Sequence, residues 1–198
     1  MLGSLRWASA AIRRPAHNQL RAFKRHPARG CPLPPVGRAP RRYTVEAGKH
    51  LDDTWTPAAA DAGAYDLWVL GPNGFHRRFT GNASAAACCP AAEMRLRYDE
   101  AANTLVLTLA DSGPEQAGCT VTANAYRSDG PWTLTVPAHG QAEQRWLLDA
   151  SGGWYDFTLS DLNDTNGANG PNAVTRRFAR RRETGKDSIG DSEMGIAR

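Results

Sequence analysis

Side chains follow a period of two in three runs between residues 94 and 125. Met94, Leu96 and Tyr98 are separated by Arg95 and Arg97. Leu105, Leu107 and Leu109 stand between Thr104, Val106 and Thr108, and Cys119, Val121, Ala123 and Ala125 between Thr120, Thr122 and Asn124. A period of two places successive side chains on opposite faces, so each run predicts a β-strand with one buried face. Asp99–Asn103 and Asp111–Pro114 carry the residues of turns between these strands. The pattern continues through Trp132, Leu134 and Val136, then Trp146-Leu147-Leu148, then the run from Trp154 to Leu159. Six or seven short strands at close spacing predict an all-β chain with an immunoglobulin-like antiparallel sandwich over 93–182. Leu105, Leu107, Val121, Leu134, Trp146 and Tyr155 are its expected core.

The chain also repeats itself. Thr44-Val45-Glu46-Ala47-Gly48 returns as Thr135-Val136-Pro137-Ala138-His139-Gly140, and Trp55 and Trp146 each follow ten residues after the valine. Ala64-Tyr65-Asp66-Leu67 returns as Trp154-Tyr155-Asp156-Phe157, and Phe75-His76-Arg77-Arg78-Phe79 as Val174-Thr175-Arg176-Arg177-Phe178. The second copy has three strand-like runs before its Thr135. The first copy has a basic head in their place, which predicts a truncated first β repeat over 43–82. A partial sandwich would leave an uncovered apolar patch around Leu67, Val69 and Phe79. Asp66 and Asp156 are expected to face solvent or cap a turn.

Charge divides the chain at the same boundary. Residues 1–42 carry ten Lys and Arg and no acid, leaving 14 basic residues against all 20 acidic ones in the remainder. The net charge of +4 therefore belongs to the head, and the main body offers no basic face for nucleic acid. No apolar run follows Arg13-Arg14 as an export signal would require. The expectation for 1–42 is a disordered basic Arg/Pro-rich head, with an organelle presequence or a nucleic-acid patch as alternatives; residues 183–198 form a tail. No run approaches the roughly 20 apolar residues of a transmembrane segment.

Candidate chemistry is sparse. None of the five histidines falls in H-x-x-H or H-E-x-x-H spacing, and no serine stands in a G-x-S-x-G elbow. Gly71-Pro72-Asn73-Gly74 reads as a turn, and Asp161–Gly167 as an oxygen-rich loop without the glycine and distal glutamate of a calcium hand. Catalytic, metal and cofactor sites are all expected to be none. Cys119 reads as a buried thiol, with a disulfide to Cys88 or Cys89 as the alternative. Trp68, Trp132 and Trp154 are the candidate surface contacts. Clustering on one solvent face would favour a lipid or sugar surface, and interior positions would favour a scaffold.

Tyr43-Thr44-Val45-Glu46-Ala47-Gly48-Lys49, Tyr65-Asp66-Leu67 with Gly71-Pro72-Asn73-Gly74-Phe75, and the closing Arg182-Glu183-Thr184-Gly185 together resemble the C-terminal region of bacterial phosphocholine-type phospholipases C. The resemblance covers about residues 40–195. It implies exported, extracellular or periplasmic enzymes that cleave phosphatidylcholine or sphingomyelin, with a large phosphoesterase domain followed by two β-rich repeats. No position of this chain matches a catalytic residue of that family. The implied role is a non-catalytic C-terminal accessory domain, a fragment or stand-alone copy. Its partners would be the phospholipase C catalytic domain or a phospholipid surface. The alternative is an independent β-sandwich module that binds carbohydrate or protein.

Overall fold

The computed structural model describes residues 18–25, 41–45, 63–82, 92–161, 174–185, 187 and 189–192, the first of these as backbone course alone. The described residues form eleven strands and no helix. The strands are β1 (Asn18–Arg25), β2 (Arg41–Val45), β3 (Ala64–Leu70), β4 (His76–Asn82), β5 (Ala92–Asp99), β6 (Thr104–Asp111), β7 (Ala117–Ala125), β8 (Trp132–Val136), β9 (Gln141–Leu147), β10 (Trp154–Asp161) and β11 (Thr175–Arg181). They make two antiparallel sheets, an eight-stranded one in the order β2-β1-β3-β4-β11-β10-β7-β8 and a three-stranded one in the order β5-β6-β9.

The second repeat supplies β5 to β11, split three against four between the two sheets. Alternate side chains from both sheets meet in a single core. Leu105, Leu107 and Leu109 of β6 and Trp146 of β9 face Cys119 and Val121 of β7, Leu134 and Val136 of β8, Tyr155, Phe157 and Leu159 of β10, and Phe178 of β11. All six expected core residues are buried. Trp146 and Phe157 stack at 4.4 Å between ring centres, an arrangement that adds to the burial of two large rings. Cys119 is a buried thiol of this core. Cys31, Cys88 and Cys89 lie outside the described residues.

The alternation in β6 is broken at Val106. Val106 points away from the core yet has no exposed surface. In register it lies between Arg97 and Arg145, whose guanidiniums bond Glu143 at 3.2 and 3.0 Å. Long arginine stems over an apolar neighbour keep their charge in water while burying what lies beneath.

Two expectations about the first repeat are corrected. Within the head expected to be disordered, Asn18–Arg25 forms β1, which pairs with β2 on one side and β3 on the other. Strand formation there satisfies the inner edge of β3, which would otherwise present unpaired amides. The apolar patch is also not found at Leu67 and Val69, which are 2% and 0% exposed, as deeply buried as Phe157 and Leu159. Phe79 and Tyr65 are half-buried, less covered than their second-repeat counterparts Phe178 and Tyr155. Trp55 falls outside the described residues.

Candidate functional site

The order of the large sheet reads the same from both ends. β8-β7-β10-β11 of the second repeat is mirrored by β2-β1-β3-β4 of the first, and the sequence repeat equates β2 with β8, β3 with β10 and β4 with β11. β1, between β2 and β3, therefore occupies the place of β7. The two half-sheets join through β4 and β11, with Arg78 opposite Arg177 at the centre of the pairing. Outward from that pair, Phe79 faces Arg176 and Arg77 faces Phe178. Since Arg77 is equivalent to Arg176 and Phe79 to Phe178, each contact has its mirror image across a local two-fold axis.

The side chains obey the same symmetry. Arg77 donates to the Ala179 carbonyl at 3.1 Å and to the Tyr155 hydroxyl at 3.5 Å. Arg176 donates to the Thr80 carbonyl at 2.9 Å and to the Tyr65 hydroxyl at 3.1 Å. The Arg77 guanidinium lies 5.0 Å from the centre of Phe178, and that of Arg176 lies 5.5 Å from the centre of Phe79. Phe79 and Phe178 meet edge to face at 6.5 Å. On the opposite face, Arg78 bonds Asp66 at 2.9 Å and Arg177 bonds Asp156 at 2.8 Å, each carboxylate accepting two donors of its arginine.

Asp66 and Asp156 thus correct the expectation of solvent-facing carboxylates. They are 8% and 7% exposed, buried because the arginine one strand away neutralises them. Two arginines placed opposite each other would repel; a carboxylate from each repeat removes that cost. The Asp156 carboxylate also holds the Arg177 pKa above its ordinary range. The two aspartates and the two arginines recur in the sequence, but neither their pairing nor the facing of the two arginines shows there.

The three candidate tryptophans do not cluster. Trp132 packs edge to face on Trp146 at 5.4 Å and on Phe157 at 6.0 Å, at the margin of the core. Trp68 lies on the outer face of β3, its indole N–H donating to Asp66 at 2.7 Å and its ring stacked on His76 at 4.9 Å. Trp154 lies on the outer face of β10, stacked on Tyr126 at 5.8 Å and pressed against Gly74, where a Cβ would stand 2.7 Å from its ring. Three strand spacings and four residues separate Trp68 from Trp154, about 20 Å. All three are half-buried.

Gly74 belongs to the expected turn. Asn73 and Gly74 both have positive φ, 55° and 64°, the tight hairpin in which Asn-Gly is favoured. The turn reaches into the second repeat, where the Arg181 amide donates to the Asn73 carbonyl at 3.1 Å. His76, next to it, has its pKa lowered from 6.5 to about 4, mainly by burial and next by the Arg177 guanidinium. Tyr98 is held well above the ordinary phenol range by burial and by the Tyr155 hydroxyl 2.9 Å away.

Among the described residues no three His, Cys, Asp or Glu side chains stand together as metal ligands. Ser151 donates to the Leu148 carbonyl at 3.1 Å, a turn contact rather than a nucleophile beside a base. The oxygen-rich loop after Asp161 lies outside the described residues, as do Asp52, Asp53, His17, His26 and His50. No helix among the described residues is long and apolar enough to cross a membrane.

Comparison with known proteins follows the two half-sheets. A family model described as "Bacterial phospholipase C, C-terminal domain" matches residues 13–82 and again 92–179. The first match takes in β1, consistent with its place in the sheet. The chain is 38% identical over 160 residues to a non-hemolytic phospholipase C of Pseudomonas aeruginosa, covering 79% of this chain and 22% of that protein. It is 38% identical over 159 residues to a non-hemolytic phospholipase C of Burkholderia pseudomallei, covering 80% and 21%. It is 34% identical over 170 residues to the hemolytic phospholipase C of Pseudomonas aeruginosa, covering 80% and 22%. The chain therefore spans about a fifth of the length of the curated relatives it matches.

Proposed function

The chain belongs to the family of bacterial phospholipase C C-terminal domains, and we propose that it acts as a non-catalytic accessory domain that packs against a phosphoesterase domain. That domain would be of the kind that cleaves phosphatidylcholine or sphingomyelin. The observation that carries this reading is the fate of the aromatic side chains. Trp132 belongs to the core margin, while Trp68 and Trp154 are held by partners within the sheet face. A lipid surface is engaged by aromatic and apolar side chains that stand free in water. Among the described residues, the exposed large hydrophobics are Leu147 and Ile189 alone.

Leu147 is 61% and Ile189 59% exposed. Leu147 ends β9, and Ile189 approaches the following turn at Gly152, where a Cβ would stand 2.4 Å from its terminal carbon. Two exposed apolar side chains suit a contact with a folded protein better than insertion into a bilayer. The test uses the purified chain, a separately produced phosphoesterase domain of the Pseudomonas aeruginosa non-hemolytic enzyme, and phosphatidylcholine vesicles. Co-elution with the domain, weakened by Leu147→Glu, and no flotation with vesicles are expected. Flotation with vesicles in the absence of any association with the domain would overturn the reading in favour of lipid contact.

A further inference from the structure

A two-fold contact in which residue i of one side meets residue j of the other, and j meets i, is the signature of two copies of one surface. The β4–β11 seam has that form in its backbone register and in its side chains. It joins the last strands of the two repeats, as when one chain adds a strand to another's sheet. We propose that β4 and β11 are self-recognition edges whose partner is a second copy of the repeat. Within one chain each repeat fills the other's edge. When β4 is withdrawn, β11 takes the β11 of a second chain.

Three observations carry this. The register is symmetric about Arg78 and Arg177, so replacing β4 by another β11 keeps every facing position filled by an equivalent residue. The charge balances in either pairing, because each repeat brings both the arginine at the axis and the carboxylate that neutralises it. The reaching arginine carries its own acceptors with it. Arg176 finds a carbonyl, a tyrosine hydroxyl and a phenylalanine ring on β3 and β4, and β10 and β11 offer the same three groups to Arg77. Arg77 and Arg176 are thus the residues that specify the partner. The linked copy prevails in the unaltered chain because a tether raises its effective concentration to roughly millimolar.

The experiment is sedimentation of the full chain with hydrogen exchange on β4, β10 and β11. The unaltered chain is expected to be monomeric with both seam strands protected. Arg78→Pro removes an amide and bars the regular strand at the axis, so β4 is displaced. Self-association should then tighten by at least about tenfold, with β11 still protected. Adding Arg176→Ala should abolish that dimer. A monomeric Arg78→Pro chain with folded β10 and unprotected β11, or a dimer indifferent to Arg176→Ala, would overturn the proposal. A second variant does not depend on Arg78→Pro folding. His76→Thr with Thr80→Ala gives β4 the residues of β11 from 76 to 80. The seam should survive, with β4 and β11 amides protected to within about threefold of the unaltered chain. Selective loss of β4 protection in that variant would show that the edges are not interchangeable.

Discussion

Replacing Asp156 by Asn removes one charge and almost no volume. Asp156 accepts the Arg177 Nε at 2.8 Å, its Nη2 at 2.5 Å and the Asn124 amide at 2.8 Å. The side chains of Asp156 and Arg177 are 9% and 32% exposed. Exposed ion pairs contribute about 0.2–1 kcal/mol, whereas stripping one partner from a buried pair costs about 3–5 kcal/mol. Arg177 keeps a third of its side-chain surface in water, so its orphaned charge is partly solvated and the expected loss is about 2 kcal/mol. The neighbouring Arg78 adds to it, because two facing arginines would share the single counter-ion Asp66. For a chain of this size the melting temperature should fall by about 4–8 °C. The measurement is thermal and urea unfolding beside Glu93→Gln, whose pair with Arg95 is 62% and 68% exposed and whose loss should stay within about 0.5 kcal/mol. Asp66→Asn should match Asp156→Asn to within about 1 kcal/mol, and Arg177→Gln should recover part of the Asp156→Asn loss. An Asp156→Asn effect no larger than that of Glu93→Gln would refute the reasoning that burial at the seam makes this pair count.

His76 supplies a pH-dependent expectation. Its pKa is lowered from 6.5 to about 4, so the unfolded chain binds this proton more readily. The corresponding stability is fully present above pH 6.5 and is lost as pH falls through about 4. The gap between the unaltered chain and His76→Thr in urea unfolding should shift over that window by about 1–2 kcal/mol, discounted for the partial exposure of the ring; a gap constant from pH 7 to 4 would sink the idea. Gly74→Ala should cost about 2–3 kcal/mol, since a side chain at φ 64° is strained and its Cβ would stand 2.7 Å from the Trp154 ring; calorimetry reads this, and a melting temperature within 1–2 °C of the unaltered chain, well inside the shift about 1 kcal/mol produces, would speak against a tight turn-to-repeat contact. The purified chain should release no phosphocholine from phosphatidylcholine, with or without added divalent metal. Turnover that vanishes on substituting one of its own residues would show a catalytic constellation of its own.

The second repeat was legible in the sequence because burial there is local in pattern. Leu105, Leu107, Val121 and Leu134 lie on one side of period-two runs, and a period of two has one solution once a second sheet covers one face. The repeat itself was legible for the same reason, as Tyr65-Asp66 and Tyr155-Asp156 recur with the Arg-Arg-Phe strings that follow them. Val106 falls among the alternate positions of its run, and its cover comes from arginines on two neighbouring strands, which no single-strand pattern records. Asn18–Arg25 was misread because its composition is that of a solvated leader. What makes it a strand is hydrogen bonding to β2 and β3, contacts between segments far apart in the chain.

The amino-acid sequence alone determined the all-β class, the core of the second sandwich and the presence of two copies of one unit. Those follow from periodicity and self-similarity, properties of short windows. Only the tertiary structure decided how the copies meet. Nothing in the order Phe75-His76-Arg77-Arg78-Phe79 says that it will lie antiparallel to Val174-Thr175-Arg176-Arg177-Phe178 with equivalent residues facing. That choice depends on which edges remain unpaired after each half-sheet forms, and on two carboxylates that let like charges sit opposite one another.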